Sequence, residues 1–326
     1  MTTSSKKPVI LISGATATGK TSSSLCLADA FKNIEIVNFD SLLFFKELNI
    51  GTAKPTPQER AQTPHHMIDV TSVDQEMNAS QFCKLALPII DDIHARSKVP
   101  LLVGGSAFYI RALIKGMYDA PAISSESLAH VQNIKIERGN SGLRAELKRV
   151  DPESFDNIHE NDLYRTTRAL EFYFTSQKKF SAQKALFDDH NPYDFENSIQ
   201  EEWSLLHLYM SIEKSEHWEI MLNRTKEMIE SGLISEVENL LNKFKDHSLK
   251  PLQSIGYKET ISYLSLLSSD SPMSVEELIS KIYISTRRLA KSQKTFFNKI
   301  SPKTPYHPIN DREKIIEDCS LFLSSF

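Results

Sequence analysis

The chain has 326 residues, 42 acidic against 38 basic, for a formal charge of −4. With 40% apolar and 25% charged residues it has a globular composition, which excludes a disordered chain. No apolar run approaches the roughly 18 residues of a membrane span, and the acidic balance argues mildly against a nucleic-acid partner, whose binding leans on basic surface.

In chain order, Met1 to Lys7 shows no secretory pattern, and Pro8 to Ser13 (PVILIS) is a β-branched run ended by Gly14. Lys20 to Phe31 reads as a helix and Ile34 to Phe39 as a second strand. Pro100 to Val103 is a third strand, followed by Gly104-Gly105 and a helical stretch to Lys115. A further strand is predicted at Leu205 to Met210. Near-continuous apolar strands separated by helices predict βαβ units and a parallel sheet covered on both faces. The fold class is therefore α/β, a parallel sheet flanked by helices, and the G-x-x-x-x-G-K-[ST] loop at Gly14 to Thr21, directly after the first strand, makes it P-loop NTPase-like. Residues 118–202 lose the strand signal and hold 16 acidic against 10 basic residues. They are expected to form an all-helical insertion domain in a core made of residues 1–117 and 203–326. Beyond residue 212, Trp218, Met221, Leu222, Ile229, Leu233, Val237, Leu240 and Phe244 predict one buried helical face. Val275, Leu278, Ile282, Thr286, Leu289, Gln293 and Phe296 predict another. Cys26, Cys83 and Cys319 are scattered and form no CxxC pair, so free thiols are expected, with neither a disulfide framework nor a zinc site, in a cytoplasmic protein. His65 and His66 are adjacent, not spaced for a metal on a helix, and a structural or substrate-lining role is expected.

Gly14-Ala15-Thr16-Ala17-Thr18-Gly19-Lys20-Thr21 fits G-x-x-x-x-G-K-[ST], with a strand before and a helix after. Such a loop turns its peptide N–H groups inward and adds the helix N-terminus, making a cradle for a polyphosphate. Lys20 would neutralise a terminal phosphate, and the Thr21 hydroxyl would ligate Mg²⁺ bridging phosphate oxygens. A nucleotide-hydrolysing P-loop protein usually has a second apolar strand ending in Asp. Here Leu101-Leu102-Val103 ends in glycine, and the carboxylate stands instead at Asp40, after the second strand. By position, Asp40 serves equally well as a metal ligand or base facing the cradle and as a helix N-cap.

These motifs resemble those of the tRNA dimethylallyltransferase (tRNA isopentenyltransferase) family. The wording Ile50-Gly51-Thr52-Ala53-Lys54-Pro55 is the most specific piece. Pro64 to Asp69 (PHHMID), Gly104 to Tyr109 (GGSAFY), Asn161-Asp162 with Arg165, Arg168 to Glu171, Arg224 to Met228 with Gly232 and Glu236-Val237, Ile255 to Glu259, and Thr286 to Phe296 join it, in the family's order from about residue 8 to 300. The resemblance implies transfer of a dimethylallyl group from its diphosphate to the exocyclic amine of the adenosine 3′-adjacent to the anticodon, in tRNAs reading codons that begin with U. It implies that Gly14 through Thr21 (Gly14, Ala15, Thr16, Ala17, Thr18, Gly19, Lys20, Thr21) and Arg224 hold the diphosphate, with Mg²⁺ at Thr21, and that Asp40 is the base. Lys20, Thr21, Asp40 and Arg224 are thus the catalytic set. It further implies tRNA contacts at Asp40, Ser41, Leu42, Leu43 and Ser106, at Tyr164, Arg165, Thr166, Thr167 and Arg168, and at Gln253, Ser254, Ile255, Gly256, Tyr257 and Lys258. The partners implied are the tRNA anticodon stem-loop and dimethylallyl diphosphate, with no membrane and no obligate protein partner, for a monomer. The chain departs from the family's pattern at Ala15, Thr18, Phe45, Ser106, Ser292 and Phe296, and has no arginine near Leu128. It ends at Phe326 without the zinc finger of eukaryotic relatives, so a bacterial type is expected.

Alternatives are an isopentenyltransferase that uses AMP or ATP as acceptor, a small-molecule kinase, and a non-catalytic RNA-binding relative. IGTAKP is not accounted for by a kinase. The net charge conceals segregation: residues 1–117 hold 12 basic and 10 acidic residues, and residues 203–326 hold 16 of each. Lys281 to Lys303 holds seven basic residues and no acid. Arg287, Lys291 and Lys294 share one helical face there, and Arg287 and Lys291 are expected to track RNA phosphates.

Overall fold

A computed structural model describes residues 6–117, 121–188, 191–267 and 270–326. Residues 1–5, read above as free of a secretory pattern, and residues 118–120, at the head of the expected insertion, lie outside them. The chain divides into two compact units, Met1–Lys115 with Tyr193–Phe326, and Gly116–Pro192.

In chain order the first unit begins β1 (Lys7–Gly14), α1 (Lys20–Ala30), β2 (Ile34–Asn38), α2 (Pro57–Gln62), β3 (His65–His66), α3 (Ala79–Ala95), β4 (Val99–Gly104) and α4 (Ala107–Lys115). The second unit consists of α5 (Ser125–Val150), α6 (Pro152–Asn157), α7 (Leu163–Ser176) and α8 (Phe180–Asp188). The first unit resumes with β5 (Trp203–Met210), α9 (Lys214–Glu230), α10 (Leu233–Lys243), α11 (Tyr257–Leu266), α12 (Val275–Phe297), β6 (Thr304–Tyr306) and α13 (Arg312–Leu323). Its sheet runs β3-β2-β4-β1-β5-β6, and every pairing is parallel.

A run of apolar residues on β1 makes sense because the strand is covered twice. Val9 and Leu11 join the core under α3 and α4, with Phe82, Ile90 and Ile110. Ile10 and Ile12 join the opposite core with Leu27 of α1 and Ile315 and Cys319 of α13. Each such side chain, removed from water, contributes roughly 1.5–3 kcal/mol. Strands β1, β2, β4 and β5 fall where apolar runs predict them. Strands β3 and β6, of two and three residues, are too short to carry a period. His66 Nε2 lies 2.8 Å from the Glu35 carboxylate and His65 Nδ1 lies 2.7 Å from the Thr63 carbonyl, so both histidines brace the sheet edge. The three cysteines are free thiols.

Three departures have local causes. Residues 193–202 pack with the first unit, so the insertion ends at 192 and not at 202. Phe195 is 1% exposed, its N–H donates to the Ser301 carbonyl, and the Lys115 ammonium donates to the Asn197 carbonyl. The apolar stripe from 218 to 244 is two helices, because Gly232 adopts φ 100° and restarts the chain as α10. On α12, Leu278 and Ile282 are buried, whereas Leu289 is 39% exposed.

In the second unit, α5 is interrupted at Gly139 (φ 64°), and Leu143, Leu147 and Leu170 sit in its core. Asp151, 1% exposed, accepts from the N–H and hydroxyl of both Ser154 and Ser181. Burial pushes its carboxyl up, but these hydrogen bonds outweigh burial and hold it below the usual value. Asp151→Ala is expected to cost about 2–4 kcal/mol by orphaning four donors, seen as a lower denaturant midpoint. Because its folded pKa is depressed, this contribution is present at neutral pH and is lost as pH falls through that pKa.

Candidate active site

The cradle is built by backbone that few residues tolerate. At Gly14 (φ 152°) a Cβ would stand 2.6 Å from the Met210 carbonyl oxygen and 2.7 Å from Thr18 Oγ1. Gly19 (φ 76°) lies directly before α1, whose first turn carries no acid to compete for the helix N-terminus. Thr18 Oγ1 donates to the Ala15 carbonyl at 2.9 Å and closes the loop on itself. Lys20 Nζ curls back to the same carbonyl at 2.7 Å.

Asp40 leaves β2 at the same sheet edge. Asn38 fixes the exit: its Oδ1 accepts from Asp40 N–H (2.9 Å), and its Nδ2 donates to the Met67 and Asp40 carbonyls. No helix follows, so Asp40 is not a helix N-cap. Its Oδ1 instead accepts from Leu42 N–H at 3.3 Å within a turn. Oδ2 points past β4 toward the cradle. Strand β4 lies between β2 and β1, and its end admits no side chain: a Cβ on Gly104 would stand 2.6 Å from the Phe39 ring and 2.8 Å from the Asp40 backbone nitrogen, and the position a Cβ would take on Gly105 lies 3.5 Å from both Asp40 Oδ2 and the Gly14 carbonyl oxygen. The missing carboxylate after Val103 is thus a requirement of space.

Lys20, Asp40 and Arg224 converge electrostatically. Burial lowers the Lys20 pKa from its ordinary 10.5 to about 8, with Asp40 opposing the shift and Arg224 adding to it. Arg224, on α9, is half-buried, and its Nη2 donates to the Thr52 carbonyl at 3.4 Å. Burial lowers its pKa too, with Asp40 and Glu227 opposing. Two cations thus feel one carboxylate at the mouth of the glycine-bounded loop, which suits departure of an anionic leaving group beside a proton acceptor.

Two residues of this centre escape the sequence reading. Gln293 of α12 accepts from the Thr16 N–H (2.8 Å) and donates to the Gly105 carbonyl (2.9 Å), bridging the cradle to the glycine rim. A polar residue on a predicted apolar stripe was the available signal. His217 Nε2 donates to the Thr16 carbonyl at 2.8 Å, and burial lowers its pKa. No pattern marks it. At Gly105→Ala the new Cβ would meet Gln293 Nε2 at 2.7 Å. The expected result is turnover lower by roughly 10- to 100-fold with unchanged helix content by circular dichroism.

The remaining site expectations divide by exposure. Ser41 and Ser106 meet, with Ser41 N–H donating to Ser106 Oγ (3.0 Å), and Leu42 and Leu43 are half-buried alongside. Tyr257 and Gly256 are buried, and the Tyr257 hydroxyl donates to Glu236, so that side chain offers RNA no surface. Gln253 and Lys258 of the same segment are exposed, with Ser254 and Ile255 half-buried. In the second unit Thr166 is 0% exposed, its hydroxyl on the Asp162 carbonyl. Tyr164, Arg165, Thr167 and Arg168 line the start of α7. Arg165 pairs with Asp162 and Arg168 with Glu171. On α12, Arg287 and Lys291 border a cavity of about 540 Å³ beside Ala15 and Thr18, and the Arg287 guanidinium lies 3.7 Å over the Trp218 ring.

Fold and site define a P-loop α/β protein whose cradle faces a carboxylate just beyond the second strand, as a group transferase needs. A family model described as IPP transferase matches residues 43–300. The chain is 37% identical over 294 residues to tRNA dimethylallyltransferase 2 of Geotalea uraniireducens, covering 90% of each. It is 32% identical over 324 residues to tRNA dimethylallyltransferase 2 of Syntrophus aciditrophicus, covering 99% of each. Among solved structures it is similar to the full-length tRNA isopentenylpyrophosphate transferase of Bacillus halodurans (28% identity, TM-score 0.69, 98% of this chain and 97% of that one). It is also similar to a eukaryotic dimethylallyltransferase acting on tRNA (25% identity, TM-score 0.78, 98% of this chain and 80% of that one). The chain belongs to the IPP transferase family, whose members here are tRNA dimethylallyltransferases.

Proposed function

We propose that this protein transfers the dimethylallyl group of dimethylallyl diphosphate to the exocyclic amine of the adenosine 3′-adjacent to the anticodon, in tRNAs reading codons that begin with U. The observation that carries the reading is the convergence of Lys20, Arg224 and the Asp40 carboxylate across the Gly104-Gly105 rim. The new bond joins the adenine nitrogen to the allylic carbon. The carbon–oxygen bond to diphosphate breaks, and the amine proton passes to Asp40 Oδ2. An adenine amine is a poor nucleophile because its lone pair is delocalised, so proton removal must accompany attack. Charge growing on the diphosphate is met by Lys20, Arg224 and the N–H groups of residues 17–21, the Thr16 N–H being held by Gln293.

A divalent ion fits this site only together with the substrate. Among the described residues no group of three His, Cys, Asp or Glu side chains is placed to hold a metal. The exposed Thr21 hydroxyl at the first turn of α1 offers one hard oxygen donor beside the cradle. Thr21 and the diphosphate oxygens would hold Mg²⁺, which when bound neutralises leaving-group charge. Unpaired loop bases leave their stack at low cost, which suits an anticodon-loop target. Ser41, Ser106, Gln253, Lys258, Arg165, Arg168, Arg287 and Lys291 are the proposed RNA contacts. No described helix is long and apolar enough to cross a membrane, in keeping with the cytoplasmic location we propose.

The acceptor is tested by offering the protein Mg²⁺ and labelled dimethylallyl diphosphate with unmodified tRNA, AMP or ATP. Label in tRNA alone is expected. Label in AMP or ATP but not tRNA would replace this reading by a cytokinin-forming one, and no transfer to any acceptor would favour a non-catalytic RNA-binding relative.

A further inference from the structure

Glu236, on α10, stands apart from the cradle, yet its carboxylate collects four donors. It accepts from the N–H groups of Asn49 (3.2 Å), Ile50 (2.9 Å) and Gly51 (3.2 Å) and from the Tyr257 hydroxyl (2.7 Å). Successive N–H groups turned toward one point form a nest for an anion. Here the anion is supplied by the protein's own side chain. Gly51 allows the approach, because a Cβ there would stand 2.6 Å from the Tyr257 ring. The next residue, Thr52, offers the carbonyl that Arg224 Nη2 contacts at 3.4 Å.

These contacts form one line from Tyr257 through Glu236 and the 49–51 backbone to Thr52 and Arg224. We propose that Glu236 is a positioning residue for prenyl transfer. It locks the Ile50-Gly51-Thr52 backbone so that the Thr52 carbonyl aims Arg224 at the diphosphate, and it ties that aim to the 253–258 segment through Tyr257. The inference rests on the function proposed above, in which Arg224 grips the leaving group. A role in stability alone predicts a different pattern. If Glu236 acts through Arg224, its loss matters only while Arg224 is present.

A double-mutant cycle reads this directly, with the dissociation constant of dimethylallyl diphosphate in Mg²⁺ measured by calorimetry on the full chain. Glu236→Gln keeps the shape but turns an amide toward N–H donors. It is expected to weaken binding about tenfold with Arg224 present and less than twofold in the Arg224→Ala background. Equal factors in both backgrounds overturn the proposal. Tyr257→Phe removes one of the four donors and is expected to give a smaller loss that likewise vanishes without Arg224. Should Glu236→Gln fail to fold, this milder variant carries the same cycle, and equal factors again overturn the proposal. Wild-type protein is assayed alongside for transfer to tRNA. Its failure to transfer sinks the proposed function, whereas normal transfer with an additive cycle sinks only the role of Glu236.

Discussion

Asp40→Ala is expected to slow prenyl transfer by a factor on the order of 100 or more, with tRNA affinity nearly unchanged. The size follows from what the carboxylate does. Oδ1 is occupied by the Leu42 N–H, a turn contact that the neighbouring Asn38 clasp can maintain without it. Oδ2 is the atom facing the cradle across Gly105, and removing it removes the proton acceptor without emptying the diphosphate site. Single-turnover rates with saturating diphosphate, set beside tRNA binding by filter retention, separate the two effects. If turnover survives Asp40→Ala, the base is another group. Asp40→Asn provides a finer control, since it keeps the turn contact and loses only basicity.

Lys20→Met is expected to abolish diphosphate binding while stabilising the fold. Burial disfavours the Lys20 ammonium, so its pKa sits near 8 in the folded chain against 10.5 ordinarily. Between those values the unfolded chain holds more protons, and the stability of the wild type rises with pH. Below pH 8 the full penalty of the buried charge is present. Relieving it by Lys20→Met gains about 1–3 kcal/mol at pH 7, readable as a higher denaturant midpoint. The same shift sets a pH dependence of binding. The diphosphate needs the ammonium form, so affinity is expected to fall as pH rises through about 8, approaching tenfold per unit above it. A cradle that is unstable alone and tight with ligand is what a catalytic site held at a cost to folding looks like.

The core and the cradle were legible in the sequence because each obeys a short-range rule. A strand covered on both faces must be apolar throughout, as at Val9 to Ile12, and a phosphate loop needs glycine at 14 and 19 with lysine following. The carboxylate at the end of β2 was legible as well, although not which oxygen would serve which role. What could not be read depends on contacts across the chain. Strands β3 and β6 exist only because β2 and β5 offer them an edge. Gln293 looked like one more member of a helical stripe, yet its amide joins residues 277 and 188 positions away. Tyr257 matched a motif implying RNA contact, and the fold spends its hydroxyl inside on Glu236. The segment around Phe195 looks in the sequence like the end of the helical insertion, until the Phe195 ring finds the core beside Trp203 and Phe297, with Tyr193 packed against it. The net charge likewise concealed more than it told, because the basic run of α12 is offset by acids elsewhere.

The position of the modified atom decides the function most directly. Unmodified tRNA reading a codon that begins with U is incubated with the protein, Mg²⁺ and dimethylallyl diphosphate, digested with a base-specific nuclease, and its fragments are weighed by mass spectrometry. One fragment, the one holding the adenosine 3′ to the anticodon, is expected to gain the mass of a single dimethylallyl group, and at the same incubation time the Asp40→Ala protein is expected to modify only a small fraction of it. A gain on any other nucleotide would contradict the acceptor assigned here, and a gain that persists undiminished without Asp40 would contradict the base.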